Sequence, residues 1–171
     1  RPGMVHTALL GRRFERPVIN LGFSGNGRMD PSVGELLAEL DPAVFVIDCN
    51  PNLNAAGITE RTGPLVTTLR KARPDSPILL VEGRDYANAP VNDRLRKANE
   101  ANHAALRAEY EKLVKAGVKH LYYLRGDRLI GDDGEGTVDG SHPTDLGFLR
   151  QADQFADALG PLLPQPSERK A

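Results

Sequence analysis

The chain has 171 residues, of which 40% are hydrophobic and 26% charged, a balance that suits one domain with a buried core. Its net charge of -1 gives no electrostatic footprint for nucleic acid, and no run of lysine or arginine indicates an anionic membrane surface. The single cysteine, Cys49, excludes an internal disulfide, and no apolar stretch approaches the length that crosses a bilayer.

Apolar runs of strand length alternate with longer amphipathic segments along the whole chain. In chain order, the predicted elements are a helix from Met4 to Arg13, a strand from Pro17 to Leu21, a helix through Leu40 capped by Asp30 or Ser32, a strand from Ala43 to Cys49, a helix from Thr59 to Ala72, a strand from Pro77 to Glu82, a helix from Asn92 to Ala116, a strand from Val118 to Leu124 and a helix from Thr144 to Leu159. The run from Ala43 to Cys49 is continuous and rich in β-branched residues, which predicts a strand buried on both faces. Residues 1–163 are expected to form one domain, followed by a polar tail from residue 164.

Strands that alternate with helices of this length predict right-handed βαβ units and a parallel sheet. In such sheets, ligands bind beyond the carboxyl ends of the strands. Three loops with unusual chemistry follow strand ends: Gly22 to Gly27, Asn50 to Asn54, and a glycine- and aspartate-rich loop from Gly126 to Pro143. We expect these three loops to converge on one edge of the sheet.

The last of these loops carries a carboxylate, Asp139, three residues before an imidazole, His142. Gly140 favours a turn between them and Pro143 stiffens it, so Asp139 can reach one ring nitrogen and leave the other free to take a proton. This is the base half of an acyl-transfer site. The alternative is that Asp139 only caps a turn and His142 only satisfies a neighbouring group.

The glycine-rich loop after the first predicted strand admits several interpretations. Exposed backbone N–H groups could cradle a phosphate, but the spacing Gly-x-x-Gly-x-Gly is not the dinucleotide fingerprint, and Asp48 is only an arguable ribose ligand. The N–H of Gly25 could instead face a developing negative charge in an oxyanion hole. A simple tight turn is the remaining alternative.

The second loop offers side-chain amides from Asn50, Asn52 and Asn54 directly after a buried strand. An asparagine NH₂ is a neutral donor suited to an oxyanion, although asparagine and proline also make turns. Four polar residues after the third predicted strand either line the pocket or form a surface ion-pair cluster; they are Glu82, Arg84, Asp85 and Tyr86.

No metal or cofactor site is predicted. The spacing of the remaining histidines does not resemble a metal site; they are His6, His103 and His120. The run from Asp132 to Glu135 lacks the alternating oxygen ligands of a calcium loop, and we interpret it as a solvated, flexible loop.

Three blocks of this sequence together resemble the SGNH (GDSL-like) hydrolase superfamily, in its bacterial branch with an Asp-Cys-x-Pro-Asn block. These blocks are Asn20 to Gly27, Asp48 to Asn52 and Val138 to Pro143. The resemblance spans nearly the whole chain and implies a flavodoxin-like three-layer α/β/α sandwich with a parallel sheet, and esterase or acetylesterase activity without a metal.

Carried over residue by residue, the resemblance implies that Asp139 and His142 are the acid and base of a catalytic triad. It makes Gly25 the oxyanion glycine and Asn52 the oxyanion asparagine, with Asn50 as the alternative. Glu82 and Tyr86 stay possible pocket residues. The cellular compartment is left open, with a secreted or periplasmic location compatible with a bacterial member of the family.

The family's nucleophilic serine lies in a block on the first strand, and this chain begins at what resembles the segment just after it, Arg1 to Met4. We therefore expect the native protein to continue upstream with that serine and a central strand. Ser24 and Ser141 are not substitutes, because both stand in blocks with other roles.

The resulting hypothesis is hydrolysis of a small acyl ester, such as an acetyl group on a polar or carbohydrate carrier, since aromatic residues make up only 5% and tryptophan is absent. A catalytically inactive module that binds a glycan or a partner is the alternative, and a flavodoxin-like nucleotide binder is a third.

Overall fold

Short parallel strands flanked by helices form the centre of the molecule, as the alternating sequence pattern predicts. The computed structural model describes residues 2–164. The strands are β1 (Phe45–Ile47), β2 (Ile78–Val81) and β3 (Leu121–Leu124), in the order β1-β2-β3. The helices are α1 (His6–Arg13), α2 (Pro31–Ala38), α3 (Ala55–Ala72), α4 (Asp93–Lys115) and α5 (Asp145–Leu159). In the parallel register, Ile78 of β2 pairs with Phe45 on one side and Leu121 on the other.

The central strand β2 is buried on both faces, and its side chains alternate between two hydrophobic clusters. Ile78 and Leu80 pack in a cluster with residues of α3 and α4, whereas Leu79 and Val81 pack with residues of α1 and α5. Each face of the sheet is thus covered by helices, which is how parallel sheets bury their hydrophobic strands. The expected three-layer α/β/α architecture is confirmed, as a truncated flavodoxin-like fold.

Side-chain caps determine where three of the helices begin. Helix α3 begins at Ala55 rather than at Thr59, because the Asn54 side chain accepts a hydrogen bond from the Gly57 N–H at 2.9 Å. Asn92 caps α4 and Thr144 caps α5 in the same way. The helices predicted from residues 92 and 144 are therefore confirmed almost to the residue.

Two expectations about strands are wrong. Residues 17–21 do not form a strand, because within residues 2–164 no neighbouring strand pairs with them, and Val18 and Ile19 are 47% and 65% exposed. Strand β1 is not buried on both faces. Phe45 and Ile47 pack in the cluster with α3, but Val46 on the opposite face is 37% exposed.

Strand β1 lies at an edge of the sheet, since its only strand partner among the described residues is β2. Apart from Pro164, the predicted polar tail lies outside the described residues. None of the helices within residues 2–164 combines the length and the apolar character that crossing a bilayer requires.

Candidate active site

A cleft of about 450 Å³ opens at the carboxyl ends of the strands, and four segments share it. Its lining residues are Ser24, Gly25, Asp48, Pro51, Asn52, Arg84 and His142. The cleft therefore brings together the glycine-rich loop, the end of β1 with the 3₁₀ turn Asn50–Asn52, the segment after β2 and the loop before α5. Its volume lies in the range of small-molecule sites, and polar side chains form most of its wall.

Asp139 and His142 form a closely bonded pair, and His142 lines this cleft. The Asp139 Oδ2 lies 2.6 Å from His142 Nδ1, while Asp139 Oδ1 accepts the backbone N–H groups of Ser141 and His142 at 2.9 and 2.7 Å. These hydrogen bonds hold the pKa of Asp139 well below its usual range, and the bond from the backbone N–H of His142 makes the largest contribution. Among residues 2–164, His142 Nε2 is bonded to no other group, so this nitrogen is free to exchange a proton.

The turn that carries this pair needs glycine at position 140. Gly140 has a φ of +88°, and a Cβ there would lie 2.9 Å from the side chain of Asn88. An antiparallel bridge between Thr137 and Pro143 closes the loop, and the Val138 N–H donates to His142 O at 2.9 Å. The imidazole is consequently supported by a compact loop while its side chain stays 75% exposed.

Gly25 also lines the cleft and has an unusual backbone conformation. Its φ is +85°, and a Cβ built there would meet nothing within 4 Å, so the requirement for glycine is conformational rather than steric. Within the described part of the chain its N–H has no acceptor, whereas its carbonyl accepts a bond from Arg28 Nε at 3.1 Å. The free amide is available to a ligand in the cleft.

The two candidate asparagines occupy different places. Asn52 lines the cleft, and its Nδ2 donates one bond to Gly27 O at 3.3 Å, which leaves the second N–H of that amide available. Asn50 is only 1% exposed and lines a neighbouring small cavity with Tyr86, and neither residue lines the cleft itself.

Glu82 is neither a cleft residue nor part of a surface ion-pair cluster. It is 2% exposed and accepts hydrogen bonds from Tyr123 Oη at 2.5 Å, the Gly126 N–H at 2.8 Å and Arg107 Nη2 at 3.0 Å. Burial acts to raise the pKa of Glu82, but these three donors, together with the nearby His103, outweigh it and lower the pKa. The carboxylate joins the ends of β2 and β3 to helix α4.

Asp48 and Arg84 place opposite charges in the cleft wall. Burial raises the pKa of Asp48 to about 6, and the nearby Arg84 guanidinium counteracts part of that shift. From the sequence, Asp48 was interpreted only as an arguable ribose ligand, and Arg84 only as one of the four polar residues after the third predicted strand. The signal available was the position of Asp48 directly after β1 and of Arg84 three residues after β2.

The remaining sequence candidates are not among the residues that line the cleft. His6 packs against Phe148 and Phe155, and burial, together with the charge of Arg84, lowers its pKa to about 4. Asp133 is held by two hydrogen bonds to Arg150, at 2.6 and 2.7 Å, so the loop that we interpreted as solvated and flexible is anchored to α5. Within residues 2–164, no three His, Cys, Asp or Glu side chains are grouped as metal ligands.

The chain is similar to known proteins over nearly its whole length. The profile of the GDSL-like lipase/acylhydrolase family matches residues 1–160. A solved structure from Bacteroides ovatus, described as a GDSL-like lipase, is 40% identical with a TM-score of 0.91, and the match covers 95% of this chain and 48% of that one. No protein with a curated description matches the chain in sequence.

A second solved structure, the salicylyl-acyltransferase SsfX3 from a tetracycline biosynthetic pathway, is 17% identical with a TM-score of 0.77. That match covers 94% of this chain and 49% of that one, and at this identity it shows a shared fold alone. The chain thus spans about half the length of both structures. Its fold, the family profile and the Bacteroides ovatus structure agree, and the chain belongs to the GDSL-like lipase/acylhydrolase family.

Proposed function

We propose that the protein is a serine esterase that hydrolyses a small acyl ester through an acyl-enzyme. The observation that carries the proposal is that His142, paired with Asp139, lines the same cleft as the Gly25 amide and the Asn52 side chain. A base, its orienting carboxylate and two neutral donors around one cavity are the groups that acyl transfer requires.

In the proposed first step, His142 Nε2 takes the proton of a serine hydroxyl while the serine oxygen attacks the acyl carbonyl carbon. Gly25 N–H and Asn52 Nδ2 donate to the resulting oxyanion, and Asp139 stabilises the imidazolium. Collapse of the tetrahedral intermediate breaks the ester bond, and His142 returns the proton to the leaving alcohol. A water then repeats the sequence and releases the carboxylic acid.

The serine is proposed to come from protein outside residues 1–171. Three observations support this part of the proposal. No serine hydroxyl within residues 2–164 is hydrogen-bonded to His142, and β1 has a free edge in the described sheet. Apolar side chains in the segment just before Ser24 are also exposed, Ile19 by 65% and Phe23 by 43%. An additional strand would satisfy backbone groups and cover apolar surface.

The substrate is proposed to be an acetyl or similarly small ester on a polar carrier, such as a carbohydrate. Support comes from the wall of the cleft, where Ser24, Asp48 and Asn52 offer hydrogen bonds, and from the low aromatic content of the chain. A lipid chain would need a continuous apolar lining instead.

Hydrolysis of p-nitrophenyl acetate by the full-length protein tests the proposal. The His142→Ala variant should lose activity to background, whereas His120→Ala, an exposed histidine at the opposite end of the sheet, should retain it. A fluorophosphonate probe should label a serine in the wild type and not in His142→Ala, since only an activated serine reacts. Full activity of His142→Ala would refute the proposal.

A second candidate function is a catalytically inactive module that binds a glycan ester or a partner. It is favoured by the same observation that no serine within residues 2–164 is bonded to His142. Absence of fluorophosphonate labelling in the full-length protein, together with saturable binding of an acetylated oligosaccharide in calorimetry, would support this alternative over the esterase.

A further inference from the structure

The segment that follows β2 is bonded directly to the loop that carries Asp139 and His142, here called the His142 loop (residues 137–143). Arg84 Nε donates to the backbone carbonyl of Ser141, and Arg84 Nη2 donates to Ser141 Oγ at 3.3 Å. Three residues later, the Ala87 N–H donates to Gly140 O at 2.8 Å. The end of the central strand therefore supports the His142 loop at two successive carbonyl groups.

The peptide group between Ser141 and His142 is held from both ends. Its oxygen accepts a bond from the Arg84 guanidinium, and its N–H donates to Asp139 Oδ1 at 2.7 Å. A peptide group is planar, so fixing the carbonyl also fixes the direction of the N–H. A cation at the oxygen and an anion at the hydrogen polarise the group in the same sense, which strengthens both bonds.

We infer that Arg84 is a positioning residue: it clamps the Ser141–His142 peptide so that Asp139 keeps both its backbone and its imidazole hydrogen bond at the cleft. The inference goes one step beyond the proposed esterase activity and rests on the role given there to His142. Arg84 acts through Ser141 and Asp139 and is not assigned contact with the reacting atoms.

The surroundings of Arg84 agree with a structural clamp. No carboxylate within residues 2–164 comes within ion-pair distance of it, although Asp48, Tyr86 and Asp139 are near enough to influence its charge. Burial lowers the pKa of the Arg84 guanidinium despite these groups. A half-buried cation costs free energy unless it is hydrogen-bonded, and here the bonds go to Ser141.

The clamp is tested by steady-state kinetics of the full-length protein with p-nitrophenyl acetate. In Arg84→Met, kcat should fall roughly 10- to 100-fold while KM stays unchanged, because a misplaced base slows the chemical step. Arg84→Lys retains the charge and one donor but not the planar fork, and should recover part of kcat.

Arg70 provides a matched control. Its guanidinium also clamps backbone carbonyls, those of Arg73, Pro74 and Ser76, but before the amino end of β2, away from the cleft. Arg70→Met should lower the thermal unfolding temperature and leave kcat unchanged. An Arg84→Met variant that behaves like Arg70→Met would overturn the inference, as would a rise in KM with unchanged kcat, which would make Arg84 a substrate contact.

A second readout does not depend on catalysis. In a ¹³C NMR titration of the full-length protein, the pKa of the Asp139 carboxyl should rise toward its ordinary value in Arg84→Met and in Arg84→Lys, but not in Arg70→Met. An unshifted Asp139 would overturn the clamp. Should His142→Ala retain esterase activity, the proposed function fails, and the Asp139 titration still decides whether the clamp exists.

Discussion

Asp139 holds His142 at two points, through Oδ2 to the imidazole Nδ1 at 2.6 Å and through Oδ1 to the backbone N–H at 2.7 Å. The carboxylate therefore fixes both the position of the His142 backbone and the orientation of its ring. With Nδ1 protonated toward Asp139, the lone pair of Nε2 is available to a proton donor. Both bonds join residues of a single four-residue turn, 139–142.

Replacing Asp139 by Asn should reduce kcat by roughly 10²- to 10⁴-fold, because a neutral amide neither stabilises the imidazolium nor enforces the tautomer. The lowered pKa of Asp139 means that its contribution to stability is present above the pKa of an unfolded aspartate, about 3.9, and is lost as the pH falls through the lower folded value. Urea unfolding should show Asp139→Asn less stable than wild type at pH 7, with a difference that narrows in acid. A pH-independent difference would contradict this account.

Substitutions of Asn52 and Asn50, the two candidate asparagines after β1, should have different effects on activity and stability. Asn52→Ala removes a donor at the cleft and should lower kcat about 10²- to 10³-fold with little change in KM. Asn50→Ala empties a buried position and should mainly lower stability, by about 1–3 kcal/mol. Kinetics and denaturant unfolding of both variants give the comparison, and the opposite pattern would make Asn50 the oxyanion residue.

Asp48 should make the protein less stable as the pH rises. Its pKa is raised to about 6 in the folded state, so between about pH 4 and pH 6 the folded protein retains a proton that the unfolded chain releases. Asp48→Asn removes this cost. The free energy of unfolding should rise by on the order of 1–2 kcal/mol at pH 7, after allowance for the exposure of the side chain to the cleft. Asp41→Asn, whose side chain is 90% exposed and pairs with Arg73 at 3.7 Å, is the control and should cost less than about 0.5 kcal/mol. Equal stability of Asp48→Asn and wild type at pH 7 would show that the carboxyl is not destabilised by burial.

Glu82 should contribute to stability rather than to chemistry. Glu82→Ala removes the acceptor of three donors and should cost about 2–4 kcal/mol in chemical denaturation. Tyr123→Phe should cost about 1–2 kcal/mol, and the double variant less than the sum because the two share one bond. Glu100→Ala is the control: it breaks an exposed ion pair with Arg96 on helix α4 and should lower the free energy of unfolding by less than about 0.5 kcal/mol. Additive effects of Glu82→Ala and Tyr123→Phe would mean that their contact is unimportant.

Sequence patterns located most helices and strands because periodicity and caps are properties of neighbouring residues. The strand predicted from Pro77 to Glu82 is confirmed as β2, which is buried on both faces. Residues 17–21 carry the same kind of pattern and form no strand, since a strand exists only where another strand pairs with it. The sequence shows that Asn54 is a polar residue that follows a strand. Its role as the cap of α3 depends on the course of the backbone around it, which the residue type does not specify.

The sequence by itself determined the alternation of strands and helices and the Asp139–His142 pair, because a turn of four residues and a period of two or 3.6 need no distant partner. Tertiary structure alone decided that Asn52 lines the cleft while Asn50 is buried. It also decided that Arg84 donates a hydrogen bond to the backbone carbonyl of Ser141, 57 residues later in the chain. Burial and long-range hydrogen bonds depend on which segments the packed sheet brings together. No local pattern of side chains records that information.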